Sequence, residues 1–386
     1  MQSHFQPIVS LVHHRVVGYE GLIRPRDAAG QTIAPDVLFD SLESDEDIVH
    51  LDRLARNIHV RNFVRAGMEP TWLFLNVNAR VAVCGLKQPY FENMLQRHGL
   101  APHQVVIELI ENEIRDETQL AAAMQYYTDL GCLVAIDDFG AGQSNFDRIW
   151  RIQPQIVKID RKSLIQARNN ARVRRVFPSL VALLHEAGCM TLIEGIEDDE
   201  DAMIALDSGV DFVQGYLFGR PSPQLLDGPA CIAPLQRVCG QHADTSQANR
   251  ALNFAQLNPY REAFRQCGEL AAHAWDAGQA SLRMLAFPNV LRCFLLDDQG
   301  RQVGNSIAPP RNATEEDRRF LPISTARGVV WARRPYFQRA IAAPGQVQIS
   351  RPYLSIMDAQ MCVTLSIMLK NDAGQDCVYC VDILHE

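Results

Sequence analysis

The chain has 386 residues, a formal net charge of −8 and ten cysteines. That length exceeds one ordinary domain and suits two, each with its own core. The acidic balance excludes the basic face on which duplex nucleic acid binds non-specifically, but leaves room for a small nucleotide held through metal.

No apolar run reaches membrane-spanning length, and the opening "MQSHFQPIVS" lacks the basic-then-apolar layout of a secretory signal. The expectation is a cytoplasmic protein without membrane insertion, with reduced thiols rather than a disulfide framework. Cys377 and Cys380 form the one CxxC pair. An offset of three in a strand puts them on opposite faces, which favours structural thiols over a zinc site.

Taken in order, the first 220 residues alternate short apolar runs with amphipathic stretches. The runs are "FQPIVSL" (5–11), "RVVGYEGLI" (15–23), "WLFLNV" (72–77), "QVVIEL" (104–109), "CLVAIDD" (132–138), "QIVKID" (155–160), "MTLIEG" (190–195) and "DFVQGY" (211–216). Between them lie helical patterns such as "DEDIVHLDRLARNIHVRNFV", "ETQLAAAMQYYTDLG" and "RVRRVFPSLVALLHEAG", the last two closing on a glycine suited to a helix C-cap. Eight strands alternating with helices predict an α/β fold of the TIM (β/α)8 type, with active groups at the strand C-termini. Only "VHHR" separates the first two strands, too little for a crossover, so the barrel is a modified one that opens with an antiparallel hairpin. His13 and His14 in that turn read as solvated residues rather than ligands.

Beyond "RPSPQLLDGP" the rhythm changes. The barrel domain is expected to span 1–235, a polar linker 236–252 (including "CGQHADTSQAN"), and a second domain 253–386. That domain reads as a helix over about 253–282, two strands around the Asp-Gln-Gly turn of "VLRCFLLDDQGRQVGNS", a helix "RPYFQRAI", and the strands "QVQISRPYLSI", "QMCVTLSIML" and "DCVYCVDIL". A helix followed by an antiparallel sheet is a small α+β module.

The barrel reading predicts that residues at strand ends converge. These are Glu20, Asn76, Glu108, Asp137, Asp138, Lys158, Asp160, Glu194 and Gln214. Two carboxylates about 4 Å apart repel by roughly 4 kcal/mol at an effective dielectric near 20, so such a cluster protonates, pairs with bases or holds cations. One lysine cannot neutralise six acids. Hard oxygen donors with an amide, and no clustered His or Cys, favour Mg2+ or Mn2+, and two ions match the charge. Successive strand residues face opposite ways, so Asp137 and Asp138 share a site only where the pleat breaks; the following "FGAG" is expected to supply that break. Two such metals suit phosphoester hydrolysis, with Lys158 and Glu194 orienting or deprotonating the attacking water.

These motifs together resemble the EAL family of cyclic di-GMP phosphodiesterases over about residues 4–223. They are "QPIV", "YEGLIRP", "FLNVNA", "VIELIENE", "AIDDFGAGQSNF", "VKID", "LIEGIE" and "QGYLFGRP". The resemblance implies that Glu20, Asn76, Glu108 and Asp137 hold one metal, and that Asp137, Asp138 and Glu194 serve a second. Lys158 would contact the attacking water, Glu194 is a candidate base, and Asp160 and Glu197 are supporting acids. Gln6, Arg24 and Gln214 match positions near the substrate, where arginine pairs with phosphate through its planar fork. Glu111 and Glu197 match loop-stabilising positions. Gly21 stands where alanine is usual, and Ala141, Gln143 and Asn145 depart from the usual loop. No cyclase-type GGDEF motif is present.

The resemblance thus implies hydrolysis of cyclic di-GMP to linear pGpG by a homodimer. The alternatives are a cyclic di-GMP receptor that does not cleave and a metal enzyme acting on another phosphoester. The C-terminal region resembles PAS- or Cache-like modules that receive a small-molecule or protein signal. Trp331, Arg333, Tyr336 and Asp382 there are candidates either for ligand binding or for packing.

Overall fold

The computed structural model describes residues 1–42, 44–67, 71–78, 81–82, 90–109, 117–140, 146–226, 228–309, 328–355 and 360–385. Eight strands close into a barrel in sequence order: β1 (Gln2–Ser10), β2 (Arg15–Arg24), β3 (Trp72–Val77), β4 (Val105–Leu109), β5 (Leu133–Phe139), β6 (Ile156–Ile159), β7 (Met190–Ile193) and β8 (Phe212–Gln214). Every apolar run singled out in the sequence is one of them. Strands β2 to β8 pair in parallel, while β1 runs antiparallel to both β2 and β8. The short "VHHR" turn enforces that reversal. His13 and His14 are exposed there, and His14 takes the left-handed backbone (φ 49°) that a tight turn needs.

The barrel interior is filled by one layer of apolar side chains, Ile8, Phe74, Val106, Ala135, Ile156, Leu192 and Phe212. Because side chains alternate along a strand, the residue two positions further on also points inward. For β3 to β8 those residues are Asn76, Glu108, Asp137, Lys158, Glu194 and Gln214. In reversed β1 the equivalent lies two positions back, at Gln6, paired in register with Glu20. One turn of the pleat thus separates a dry plug from a ring of polar groups.

Helices pack the outer face through two apolar clusters. In order they are α1 (Asp45–Ala66), α2 (Tyr90–His98), α3 (Glu117–Asp129), α4 (Phe146–Ile152), α5 (Arg161–Asn169), α6 (Ala171–Glu186) and α7 (Asp199–Ser208). α1 shows how the sequence sets its ends. Ser44 accepts from Asp47 N, three acids fill the first turn, and Gly67 closes the helix at φ 65°.

The chain divides into two compact units, Met1–Ser246 and Gln247–Glu386. Residues 236–252, expected as a linker, contain the division between the units and are helical, within α8 (Gly228–Ala274). The stretch is polar, but it contains no proline and only Gly240, so nothing in it breaks a helix. The helix expected over 253–282 ends at Ala274, and two short turns follow at Gln279–Ser281 and Leu282–Leu285.

The second unit is α+β. Its antiparallel sheet has the order β10-β9-β14-β13-β11, with β12 also pairing β13; the strands are β9 (Val290–Asp297), β10 (Gln302–Ile307), β11 (Gln348–Ile349), β12 (Tyr353–Leu354), β13 (Met361–Lys370) and β14 (Asp376–Leu384). Helix α9 (Pro335–Ala342) is "PYFQRAIA", as its periodicity predicts. The expected single strand "QVQISRPYLSI" is instead two two-residue pieces, β11 and β12, on either side of Pro352, which has no N–H to continue a ladder. Cys377 and Cys380 are free and fully buried. They belong to different apolar clusters on opposite faces of β14, and burial pushes both thiols up, Cys377 to about 11. The CxxC pair is therefore two core residues rather than a metal clip.

Candidate active site

At the C-terminal ends of the parallel strands, Lys158 Nζ stands among four carboxylates. It lies 2.5 Å from Glu194 Oε1, 2.7 Å from Glu108 Oε1, 3.3 Å from Asp137 Oδ1 and 4.0 Å from Glu20 Oε1. The lysine side chain is 1% exposed. Burial disfavours its charge, but Asp137, Glu108, Glu194 and Glu20 outweigh that and hold Lys158 well above the ordinary lysine range.

Glu20 is fixed by two amides: Asn76 Nδ2 donates to Oε1 at 2.8 Å and Gln214 Nε2 to Oε2 at 2.7 Å. Burial opposes its ionisation, yet Lys158 and these donors keep its carboxyl below the usual range. Gln214 Nε2 also reaches Gln6 Oε1 at 3.2 Å, while Gln6 Nε2 donates to Gly219 O at 3.1 Å. Gly215 is required next to Gln214, because a Cβ there would lie 2.0 Å from Ile196 O.

Glu108 differs from Glu20. It is fully buried, and among the described residues neither of its oxygens makes a hydrogen bond of good geometry despite the nearby ammonium. Burial pushes its carboxyl well above the usual range; Lys158 pulls against this, and Glu20 and Asp137 add to it. Glu194, with 23% of its side chain exposed, is pushed up to about 8 by burial, against Lys158 and with Asp137 and Glu20.

The doubled aspartate resolves differently from expectation. The pleat breaks at Asp138 itself, which takes φ 56°, and the pairing of β5 with β6 shifts register between Ile136 and Phe139. Aspartate tolerates this conformation, and Asp138 N donates to Asp137 Oδ1 at 2.9 Å across it. The glycines follow the break rather than make it. As a result, carboxylate oxygens of Asp137, Asp138 and Glu194 all lie within 4.8 Å of one another.

The other sequence candidates are placed as follows. Asp160, expected among the catalytic acids, is the N-cap of α5: its Oδ1 accepts from Lys162 N at 2.7 Å, which turns the carboxylate to the helix end. Glu197 is exposed and ion-paired to Arg161 at 2.5 Å. Arg24 ends β2 half-buried, with Nη1 donating to its neighbour Ile23 O. Glu111, Ala141, Gln143 and Asn145 lie outside the described residues. Sequence reasoning missed His59 of α1, which lies directly behind Gly21. The one available signal was the missing methyl at that position.

The donor set fits hard dications. It offers five acidic side chains and an amide, with the Glu108 carboxylate fully buried, and among the described residues it contains no thiol or imidazole. Residues 1–221 match the EAL domain. The chain belongs to the EAL family. Within it, the chain is 29% identical over 226 residues to the probable cyclic di-GMP phosphodiesterase PdeN of Escherichia coli, covering 57% of this chain and 43% of that protein. It is 26% identical over 228 residues to the cyclic di-GMP phosphodiesterase RocR of Pseudomonas aeruginosa, covering 58% of each. The EAL chain thus spans about half the length of the curated relatives it matches.

Among solved structures, the Bacillus subtilis EAL protein YkuI, determined with cyclic di-GMP and calcium, superposes with a TM-score of 0.83 at 20% identity, over 100% of this chain and 96% of that one. Klebsiella pneumoniae BlrP1, in a calcium and cyclic di-GMP complex, gives 0.51 at 26% identity over 57% and 55%. The EAL fold is common to all three.

Proposed function

We propose that this EAL chain is a divalent-metal-dependent phosphodiesterase that opens cyclic di-GMP to linear pGpG. The observation that carries the reading is the buried acidic ring with one lysine at its centre, where Glu20, Glu108, Asp137 and Glu194 all place an oxygen within 4.0 Å of the Lys158 ammonium. Glu20, Asn76, Glu108 and Asp137 would hold one Mg2+ or Mn2+, and Asp137, Asp138 and Glu194 a second. When bound, these ions supply electrophilic stabilisation of charge on the phosphoryl oxygens.

The chain's own residues account for the rest. Lys158 stays protonated at the floor of the site, so its Nζ orients the attacking water by donating to it. Glu194, with 23% of its side chain exposed, is the carboxylate placed to accept the proton that water loses. A new P–O bond forms from the water oxygen, the P–O bond to one ribose 3′ oxygen breaks, and that oxygen takes up a proton. Arg24 pairs with phosphate, and Gln6 and Gln214 fix the rim beside it. Beyond β8, half-exposed Tyr216 carries the Arg220 guanidinium 4.2 Å from its ring centroid, a surface suited to stacking a guanine.

The C-terminal α+β unit is proposed as a PAS- or Cache-like module that receives a signal and adjusts turnover, in a homodimer. A cytoplasmic setting is supported by nine free cysteines among the described residues and by the finding that no described helix is long and apolar enough to cross a membrane. The deciding experiment is turnover of cyclic di-GMP by the full chain in Mn2+ and in Mg2+, before and after chelation. Linear product that vanishes on chelation and returns with metal supports the reading. Tight nucleotide binding without product in either metal replaces it with a receptor.

A further inference from the structure

Gly21 follows Glu20 on β2, and its outward face meets α1 rather than the barrel interior. A Cβ at position 21 would sit 2.9 Å from His59 Cγ, 3.1 Å from Nδ1 and 3.2 Å from its Cβ. The first separation is closer than packed carbons approach, so either the ring or the strand would have to move. The ring has little room to retreat. His59 is buried, its Nδ1 shares a 2.5 Å hydrogen bond with Ser3 Oγ on β1, and Phe5 packs edge-on at 6.3 Å between centroids. Ser3 and Phe5 belong to the strand whose register pairs Phe5 with Gly21 and Gln6 with Glu20. Helix α1 presents this ring from the buried stripe that also carries Ala55, Arg56, Val60 and Phe63.

We propose that His59 is a positioning residue for Glu20. Its ring takes the space of the missing methyl, ties β1 to α1 through Ser3, and sets the depth at which β2 lies, and so the aim of the Glu20 carboxylate between Asn76 and Gln214. Residues 21 and 59 form one steric unit: glycine at 21 is required by histidine at 59. A methyl added at 21 presses β2 inward and loosens the 2.8 Å and 2.7 Å bonds that hold Glu20. The inference rests on the metal reading above only in that Glu20 is taken as a metal ligand.

The test is Mn2+ titration of the purified full chain by calorimetry, with steady-state kinetics on cyclic di-GMP and circular dichroism to count folded protein. Gly21→Ala is expected to weaken Mn2+ binding about tenfold, or ~1.4 kcal/mol, and to lower kcat, with KM changed by less than about twofold. His59→Ala alone, which removes the ring from behind β2, also weakens binding. Combining Gly21→Ala with His59→Ala restores affinity to within about threefold of wild type, so that two harmful changes offset each other. His59→Asn does not restore it, because asparagine keeps the Cβ and Cγ that the methyl meets. His59→Ser replaces His59→Ala should the latter leave too little folded protein.

A Gly21→Ala chain that binds Mn2+ like wild type overturns the inference, as does a double variant as weak as the two single effects multiplied, or rescue by asparagine equal to that by alanine. A wild-type chain that takes up no Mn2+ overturns the metal reading and this inference with it. Wild-type uptake with an indifferent Gly21→Ala overturns this inference alone.

Discussion

Two buried charge clusters in this protein are built to opposite ends. In the C-terminal unit, Asp382 is 0% exposed and accepts on both oxygens: Oδ2 from Arg292 Nε at 2.6 Å, Oδ1 from Thr364 Oγ1 at 2.7 Å and from Tyr353 Oη at 3.4 Å. Elsewhere in that unit Trp331 donates Nε1–H to Gln302 Oε1 at 3.0 Å, Tyr336 packs on Phe294, and Arg333 is exposed. Acid and base balance, and the cluster reads as core. In the barrel, four carboxylates lie within 4.0 Å of one lysine, and Asp138 adds a fifth acid beside Asp137 and Glu194. Both clusters bear the desolvation penalty of burial, but only the barrel leaves negative charge uncompensated. A balanced buried pair holds a fold together, whereas an unbalanced one has affinity left for something else.

The contrast can be broken most directly at Glu108. Glu108→Ala should lower turnover by about a thousandfold or more, since it removes a group contacting the reaction machinery, while Mn2+ binding weakens in the same variant. Asp382→Ala should act on stability instead. Leaving Arg292 buried without its partner should cost about 3–5 kcal/mol, seen as earlier melting in denaturant, with a far smaller loss of turnover per folded molecule. Equal effects of the two substitutions on turnover would erase the distinction.

A third test uses pH. The Glu194 carboxyl is held at about 8 in the folded chain, well above its unfolded value. Its contribution to stability is therefore complete below the unfolded pKa and is lost as pH rises through about 8. Glu20 shifts the other way, so total stability mixes both signs. The difference isolates Glu194: in chelator, wild type should lose stability relative to Glu194→Gln between about pH 5 and 8. Urea midpoints at several pH values measure it, and parallel curves would refute it. The smallest effect is expected at the rim, where Tyr216→Ala should raise KM by about three- to tenfold through lost stacking, with little change in kcat.

Most of this was legible in the sequence because parallel barrel strands advertise themselves. Each is a short apolar run, and counting two residues past the interior position leads straight to Asn76, Glu108, Asp137, Lys158, Glu194 and Gln214. What escaped was set by conformation or by distant contact. The break at Asp138 is a backbone angle that glycine-rich neighbours only suggest. Asp160 reads the same whether it lines a site or caps a helix. The polar stretch within 236–252 has a linker's composition, and without a proline it is helical. His59 lies 39 positions after Gly21's neighbour Glu20 in a helix that looks like any other amphipathic one, and only folding brings its ring against the gap.

The reversal of β1 has a practical outcome. Since this strand runs against its neighbours, its first residues, Gln2 beside Arg24, emerge where the other strands finish. Anything fused ahead of Met1, an affinity handle or another protein, is thereby delivered to the mouth of the acidic ring.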